Sequence, residues 1–218
     1  MVKPPKSHRS RITDFWTMAH HFYESLKVET THFETADAFY RFQLHAIKIK
    51  RHNYNTFSGK QKQRADIDVS LTLENGETLT VSEKKRTRDF DDLYLEVYSK
   101  FPRVPGWTIG SQAAYLAYFF PKRVFWAGFP QIRRFYRESL RPKLPGELFS
   151  SLLNEQKKKN ACKEYLLKIA GVSYHIMLIQ AFNESDGNQW YTMGISVPFQ
   201  MLKDNHIRFT LYPVSFGL

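Results

Sequence analysis

The sequence contains a single cysteine, Cys162, so no disulfide can form within the chain and no zinc site can consist of cysteines alone. No apolar run approaches the roughly 18 residues that a membrane-spanning helix needs. The basic N-terminus, residues 1–6, is followed by no apolar stretch and therefore differs from a secretory signal. A glycine-rich phosphate loop is also missing, which argues against nucleotide-triphosphate hydrolysis. We expect a cytoplasmic protein that does not enter a membrane.

Acidic residues are absent from residues 38–65, a stretch that contains seven lysines and arginines. The next 31 residues, 66–96, hold nine of the 21 acidic residues in the chain. The formal net charge of +11 favours a polyanionic partner, and DNA is the expected one. Because cations hold a phosphate backbone and carboxylates hold a metal ion, this distribution suits a phosphodiesterase. A solvated acidic hairpin on a basic protein is the alternative.

The hydrophobic pattern predicts one domain of α+β class, in which early helices are followed by a meander of strands. The predicted catalytic core covers about residues 13–140, and an α/β extension covers about 147–218. Predicted helices cover residues 13–28, 36–50 and 148–169, the last with a break in its lysine-rich middle. Another predicted helix opens at Pro130, and a short one follows Pro198. The stretch 53–64 is predicted to be a loop, and strands are predicted at residues 67–73, 79–81, 93–98, 113–120, 124–127, 173–182, 191–197 and 208–212.

Asn75-Gly76 separates two alternating segments, which predicts a β-hairpin with a two-residue turn. That turn pairs Asp68 with Glu83 and Asp66 with Lys85, so Asp68 and Glu83 become neighbours on one face. Their like charges repel unless a divalent cation lies between them, and Mg²⁺ binds to one or two carboxylates together with water and phosphate. Lys85 points the same way as Glu83, where it can orient a water or stabilise charge on phosphorus. An ordinary exposed hairpin with charged side chains is the alternative.

An acid that starts one strand, followed on the next strand by Glu83-Lys84-Lys85, resembles the pattern of the PD-(D/E)XK, or restriction-endonuclease-like, nuclease superfamily. Residues 92–96 and 106–115 resemble two further blocks of its phage- and mobile-element-type members. The sequence departs from that pattern twice, since Ala114 replaces an aspartate and Ile67 replaces the proline that precedes the first acid. The resemblance covers about residues 66–118, which is about a quarter of the chain.

The resemblance implies an α/β/α architecture, in which helices flank a central mixed sheet and Mg²⁺ or Mn²⁺ binds at one edge. It implies that Asp68 and Glu83 are metal ligands and that the carbonyl of Lys84 is a third. It also implies that Lys85 assists the attacking water and that Glu96 is a further ligand or base.

The residues that we expect to contact DNA lie in the basic stretches around this motif: Arg86, Arg88, Lys60, Lys62, Arg64, Ser111 and Gln112. For Ser111 and Gln112, a turn that enters a strand is an equal alternative. An acid on the first helix sometimes joins such sites, and Glu24 is the candidate here, although a surface position is the simpler interpretation.

The expected function is therefore that of a Mg²⁺-dependent endonuclease that hydrolyses DNA through two carboxylates and a lysine. A nucleic-acid-binding or structural protein that keeps the fold without catalysis is the first alternative. A module that binds an acidic protein partner is the second. The sequence leaves open whether the chain forms a homodimer or binds another protein.

Overall fold

A computed structural model of the chain describes residues 22–53, 56–157 and 159–214, with side chains described from residue 33 onward. Residues 13–21 of the predicted helix 13–28 lie outside the described ranges. No helix in the described ranges has the length and the apolar character required to cross a membrane. The elements, in chain order, are α1 Phe22–Gln43, β1 Ala46–Arg51, α2 Phe57–Arg64, β2 Val69–Leu73, β3 Thr78–Lys85, β4 Asp92–Lys100, β5 Val104–Pro105, α3 Trp107–Gly110, β6 Tyr115–Phe119, β7 Arg123–Gly128, α4 Phe129–Phe135, α5 Gly146–Glu155, β8 Ala161–Ile169, β9 Val172–Ser185, β10 Asn188–Pro198, α6 Phe199–Asp204 and β11 Phe209–Pro213.

The strands of the described chain form two sheets. The first sheet has six strands in the order β1-β2-β3-β6-β7-β11, and only the β3–β6 pair is parallel. The second sheet has five antiparallel strands in the order β5-β4-β10-β9-β8. The expectation of mixed α and β structure with a mixed sheet is confirmed, while the restriction-endonuclease-like core stays a prediction.

Two clusters of buried apolar side chains pack the helices and the two sheets together. The smaller cluster packs α1 against one face of the first sheet, with Tyr40 and Leu71 fully buried in it. The larger cluster contains buried residues of both sheets, including Leu95 of β4 and Leu116 of β6. Apolar side chains of β6 therefore contribute to both clusters, because successive side chains of a strand point to opposite faces.

The region between α1 and β2 differs from the sequence prediction. The predicted helix 36–50 is wrong in its second half, because α1 ends at Gln43 and β1 begins at Ala46. His45 has a positive φ of 54°, the left-handed conformation in which helices commonly end. The predicted loop at 53–64 is also wrong, since α2 forms there with Thr56 as its N-cap, and the hydroxyl of Thr56 accepts a hydrogen bond from the Gly59 amide at 3.0 Å.

The predicted helix 148–169 is wrong in its second half as well. α5 ends at Glu155, and residues 161–169 pair with β9 as strand β8. The buried side-chain amide of Gln180 donates to the carbonyls of Gln156 (2.7 Å) and Lys159 (2.8 Å), which fixes the turn between helix and strand. Pairing with a distant strand thus overrides the helical pattern of the segment. The remaining predicted strands and the helices after Phe129 and Pro198 are confirmed.

Candidate active site

The β2–β3 hairpin has a different register from the predicted one. The Leu73 amide donates to the Glu77 carbonyl at 2.9 Å, so the loop has three residues, not two, and Gly76 adopts a φ of 82° within it. This geometry matches the three-residue hairpin loops that place a left-handed glycine last. Val69 consequently pairs with Val81 rather than Ser82. The predicted pairing of Asp68 with Glu83 is wrong by one residue.

A slip of one residue changes which side chains share a face. Continuing the observed register places Asp68 opposite Ser82 and Asp66 opposite Lys84. Glu83 and Lys85 belong to the other face of β3, the face on which Val81 packs toward α1. The three motif residues therefore do not all point in one direction, as the two-residue turn predicted.

Glu83 is held by α1 and β1. Its side chain is only 7% exposed and accepts hydrogen bonds from the Tyr40 hydroxyl and from Arg51, both at 2.8 Å. Arg51 also bonds to Asp37 at 2.5 Å, so its guanidinium bridges the two carboxylates. Burial raises the pKa of Glu83, and the charge of Arg51 offsets part of that rise. Burial, together with the charge of Glu83 and the hydrogen bond to it, raises the pKa of Tyr40 well above its ordinary value.

Asp68, which directly precedes β2, contacts the backbone of Glu83 and the side chain of Lys84. Its Oδ2 accepts a hydrogen bond from the backbone amide of Glu83 at 2.7 Å and lies 3.6 Å from the ammonium of Lys84. Burial raises the pKa of Asp68, while Lys84 lowers it. Both of these contacts use Oδ2, so Oδ1 is the oxygen that the described neighbours leave for another ligand.

Lys84 is the centre of a second polar cluster, on the face opposite to Glu83. Its ammonium lies 2.7 Å from Oδ1 of Asp66, whose Oδ2 accepts a hydrogen bond from the buried Ser82 hydroxyl at 2.6 Å. The ring of Trp107 covers the ammonium at 5.8 Å. Burial lowers the pKa of Lys84, but the charges of Asp68 and Asp66 outweigh it and raise the pKa overall.

Glu96 of β4 brings the second sheet into this cluster. Burial raises the pKa of Glu96 to about 7, against the lowering effects of the Trp107 backbone amide and of Lys84. Gly106 makes this approach feasible, because a Cβ atom there would lie 2.4 Å from the Glu96 carbonyl oxygen and 2.7 Å from its Cγ. The charge of Glu96 also helps to raise the pKa of Lys84, and its expected role as a further ligand or base stays a prediction.

Several expected contact residues have a different environment from the one a DNA contact requires. Arg86 is only 4% exposed and pairs with Asp92, an environment that does not favour its expected contact with DNA. Ser111 is fully buried, and its backbone carbonyl accepts a hydrogen bond from Arg133 at 2.5 Å, which favours the alternative interpretation as a structural turn. The other expected contacts keep some or all of their exposure and stay predictions: Lys60, Lys62, Arg64, Arg88 and Gln112.

The first helix contributes residues that the sequence analysis missed. The side chain of Glu24 lies outside the described part of the chain, whereas Asp37 and Tyr40 of the same helix reach the Glu83 cluster. These two residues are three apart and so share a helix face, and Arg51 follows them in the acid-free stretch. An acid and a tyrosine on the buried face of the helix are the signal that could have identified them.

The oxygen donors of the site suit a hard cation such as Mg²⁺ in their chemistry. Within the described residues, however, no group of three or more His, Cys, Asp and Glu side chains is arranged to hold a metal. The carboxylates that a metal would use are instead ion-paired with Arg51 and Lys84.

Comparisons of this chain with models of protein families, with curated proteins and with solved structures found no match.

Proposed function

We propose that this protein is a metal-dependent endonuclease that hydrolyses DNA phosphodiester bonds with Mg²⁺ or Mn²⁺ bound at Asp68. The observation that carries the proposal is the position of Asp68, whose carboxylate is held by the Glu83 amide at 2.7 Å and lies 3.6 Å from the Lys84 ammonium. One carboxylate and one ammonium thus lie side by side in an otherwise strongly basic protein. A carboxylate that can hold a metal ion and a cation beside it are groups that metal-assisted phosphodiester hydrolysis uses.

The chain's own residues have separable tasks in this proposal. Asp68 holds the metal together with one further carboxylate, for which the resemblance implies Glu83 with the backbone carbonyl of Lys84. A bound Mg²⁺ would polarise the phosphate and lower the pKa of its bound water. The carboxylate of Glu83, which pairs with Arg51 at 2.8 Å, would be the second ligand in this proposal. The exposed lysines and arginines of α2 hold the DNA backbone without reading its sequence.

The test is cleavage of supercoiled and branched DNA by the wild type and by Asp68→Asn, in Mg²⁺, in Mn²⁺ and in EDTA. We expect cleavage that requires the metal and that falls by at least about 100-fold in Asp68→Asn, because the variant loses a charged ligand. Glu77→Gln, a change at the exposed residue that follows the hairpin loop, is the matched control and should cleave normally. Isothermal titration calorimetry with Mn²⁺ measures metal binding independently of cleavage. Wild-type protein that neither binds Mn²⁺ nor cleaves DNA would contradict the proposal.

A second function is favoured by one specific observation. Arg51 and Lys84 already neutralise Glu83 and Asp68, an arrangement that keeps a nuclease-like scaffold stable without a metal. A nucleic-acid-binding protein without catalysis would show DNA affinity that falls steeply with salt, and no turnover with either metal. The same cleavage and Mn²⁺ titrations separate this function from the first.

A further inference from the structure

We propose that Lys84, rather than Lys85, supplies the ammonium group that contacts the scissile phosphate. This inference rests on the function proposed above and assigns a catalytic residue to the same site. The residue in question lies between the glutamate and the lysine of the motif, where the sequence pattern implies only a backbone contribution.

The hairpin register is the first argument. With three residues in the loop, Val69 pairs with Val81, and the face of β3 that meets the Asp66 and Asp68 carboxylates is the face of Lys84. Lys85 belongs to the other face by the alternation of strand side chains, and it lies exposed at the end of the strand. On that other face, Arg51 already provides the cation beside Glu83 at 2.8 Å.

The surroundings of the Lys84 ammonium are the second argument. It is fixed between Asp66 at 2.7 Å and Asp68 at 3.6 Å, and the ring of Trp107 from α3 covers it. The charge of Glu96 acts on it as well. Preorganised charges act most strongly in such partly dehydrated sites, because no reorganisation is needed as the reaction proceeds.

Access is the third argument. The side chains of Lys84, Asp66 and Asp68 keep between 20% and 26% of their exposure, so a phosphate group can approach all three. More carboxylates than ammonium groups face this point, which leaves negative charge for a divalent cation to neutralise. An ammonium that also touches Asp68 lies beside any metal bound there.

The role of Lys84 in the reaction is electrostatic. A water oxygen forms a bond to phosphorus while the bond from phosphorus to the deoxyribose oxygen breaks. The water releases its proton to solvent, and the leaving oxygen takes one from solvent. The ammonium keeps its proton throughout and stabilises the negative charge that accumulates on the phosphate oxygens.

The experiment compares Lys84→Met, Lys84→Arg and Lys85→Met in single-turnover cleavage at saturating Mg²⁺, with the Mn²⁺ affinity measured in parallel. We expect Lys84→Met to lower the rate constant by about 100-fold or more while it still binds Mn²⁺, since loss of one such donor has effects of this size. Lys84→Arg should recover at least about a tenth of the wild-type rate, because it keeps the charge. Lys85→Met should lower the rate at least tenfold less than Lys84→Met, and Lys203→Met on α6 is the surface control.

Loss of the Lys84 ammonium leaves two carboxylates without their cation, which destabilises the fold. The variant pair Asp66→Asn and Asp66→Asn/Lys84→Met addresses this. Asp66 has a positive φ of 53°, a conformation that asparagine tolerates well, and the amide oxygen can still accept from Ser82. We expect the double variant, with one fewer unpaired carboxylate than Lys84→Met, to fold but to cleave DNA more slowly than Asp66→Asn. Thermal unfolding checks that each variant is folded.

The outcomes separate this inference from the proposed function. A wild type that cleaves DNA, together with an inactive Lys85→Met and an active Lys84→Met, would overturn the assignment of Lys84 and leave the nuclease function intact. A folded double variant that cleaves as fast as Asp66→Asn would overturn it too. A wild type without metal-dependent cleavage would instead refute the nuclease function itself.

Discussion

Replacing Glu96 with glutamine should remove a large part of the pH dependence of folding. Burial raises the pKa of this carboxyl from 4.5 to about 7 in the folded chain. A tenfold change in proton affinity corresponds to about 1.4 kcal/mol, so the whole change corresponds to at most about 3 kcal/mol of folding free energy. Solvent screening at this half-buried site lowers the figure, which is therefore an upper limit.

The sign of this pH dependence follows from which state of the chain, folded or unfolded, binds the proton of Glu96 more tightly. The folded chain holds the proton of Glu96 more tightly than the unfolded chain does, so this contribution is fully present below pH 4.5. It decreases as the pH rises toward about 7 and is lost above that value. Glutamine resembles the neutral carboxyl at every pH, so the variant should lack this decrease.

The assay is urea-induced unfolding of the wild type and of Glu96→Gln at pH values from about 4 to 8. We expect the free energy of unfolding of the variant to gain on that of the wild type by up to about 3 kcal/mol across this range. Glu77→Gln, at the exposed residue that follows the hairpin loop, should show a constant difference from the wild type. Parallel stability curves for the wild type and Glu96→Gln would refute the argument that burial controls this carboxyl.

Two further predictions concern the packing of the site. Gly106→Ala should lower the free energy of unfolding by about 1–3 kcal/mol in urea denaturation, because the new Cβ would lie 2.4 Å from the Glu96 carbonyl; Gly110→Ala, which meets no atom within 4 Å, is its control, and equal effects would contradict the argument. Arg51→Met and Glu83→Gln should each destabilise the chain by about 3 kcal/mol, and the double variant by about 1–3 kcal/mol less than their sum. Strict additivity in that cycle would mean that the 2.8 Å ion pair contributes nothing.

The two faces of β3 carry different kinds of polar contact. On the α1 face, Glu83 is nearly buried and all its described contacts come from Tyr40 and Arg51, which tie the helix and the edge strand to the sheet. On the opposite face, Lys84 and Asp68 stay partly open to solvent. The difference in exposure is the reason why we assign the catalytic ammonium to the second face.

Local pattern predicted much of the secondary structure because the signals act over few residues. Alternating apolar residues identified most of the strands, and Pro130 and Pro198 marked two helix starts. Two of the failures lie where a partner distant in sequence decides the conformation. The segment 161–169 has helix-compatible spacing but pairs with β9, and β1 forms because it pairs with β2.

The composition and the motif established by themselves that a basic chain carries an acidic segment with Asp68, Glu83 and two lysines on a hairpin. Only the tertiary structure decided which of those side chains meet. One additional residue in the hairpin loop reverses the faces of a strand, because side chains alternate every residue. The contributions of Asp37, Tyr40 and Arg51 to Glu83, and of Glu96 to the environment of Lys84, depend on the packing of α1 and of the second sheet, and local sequence does not encode such distant contacts.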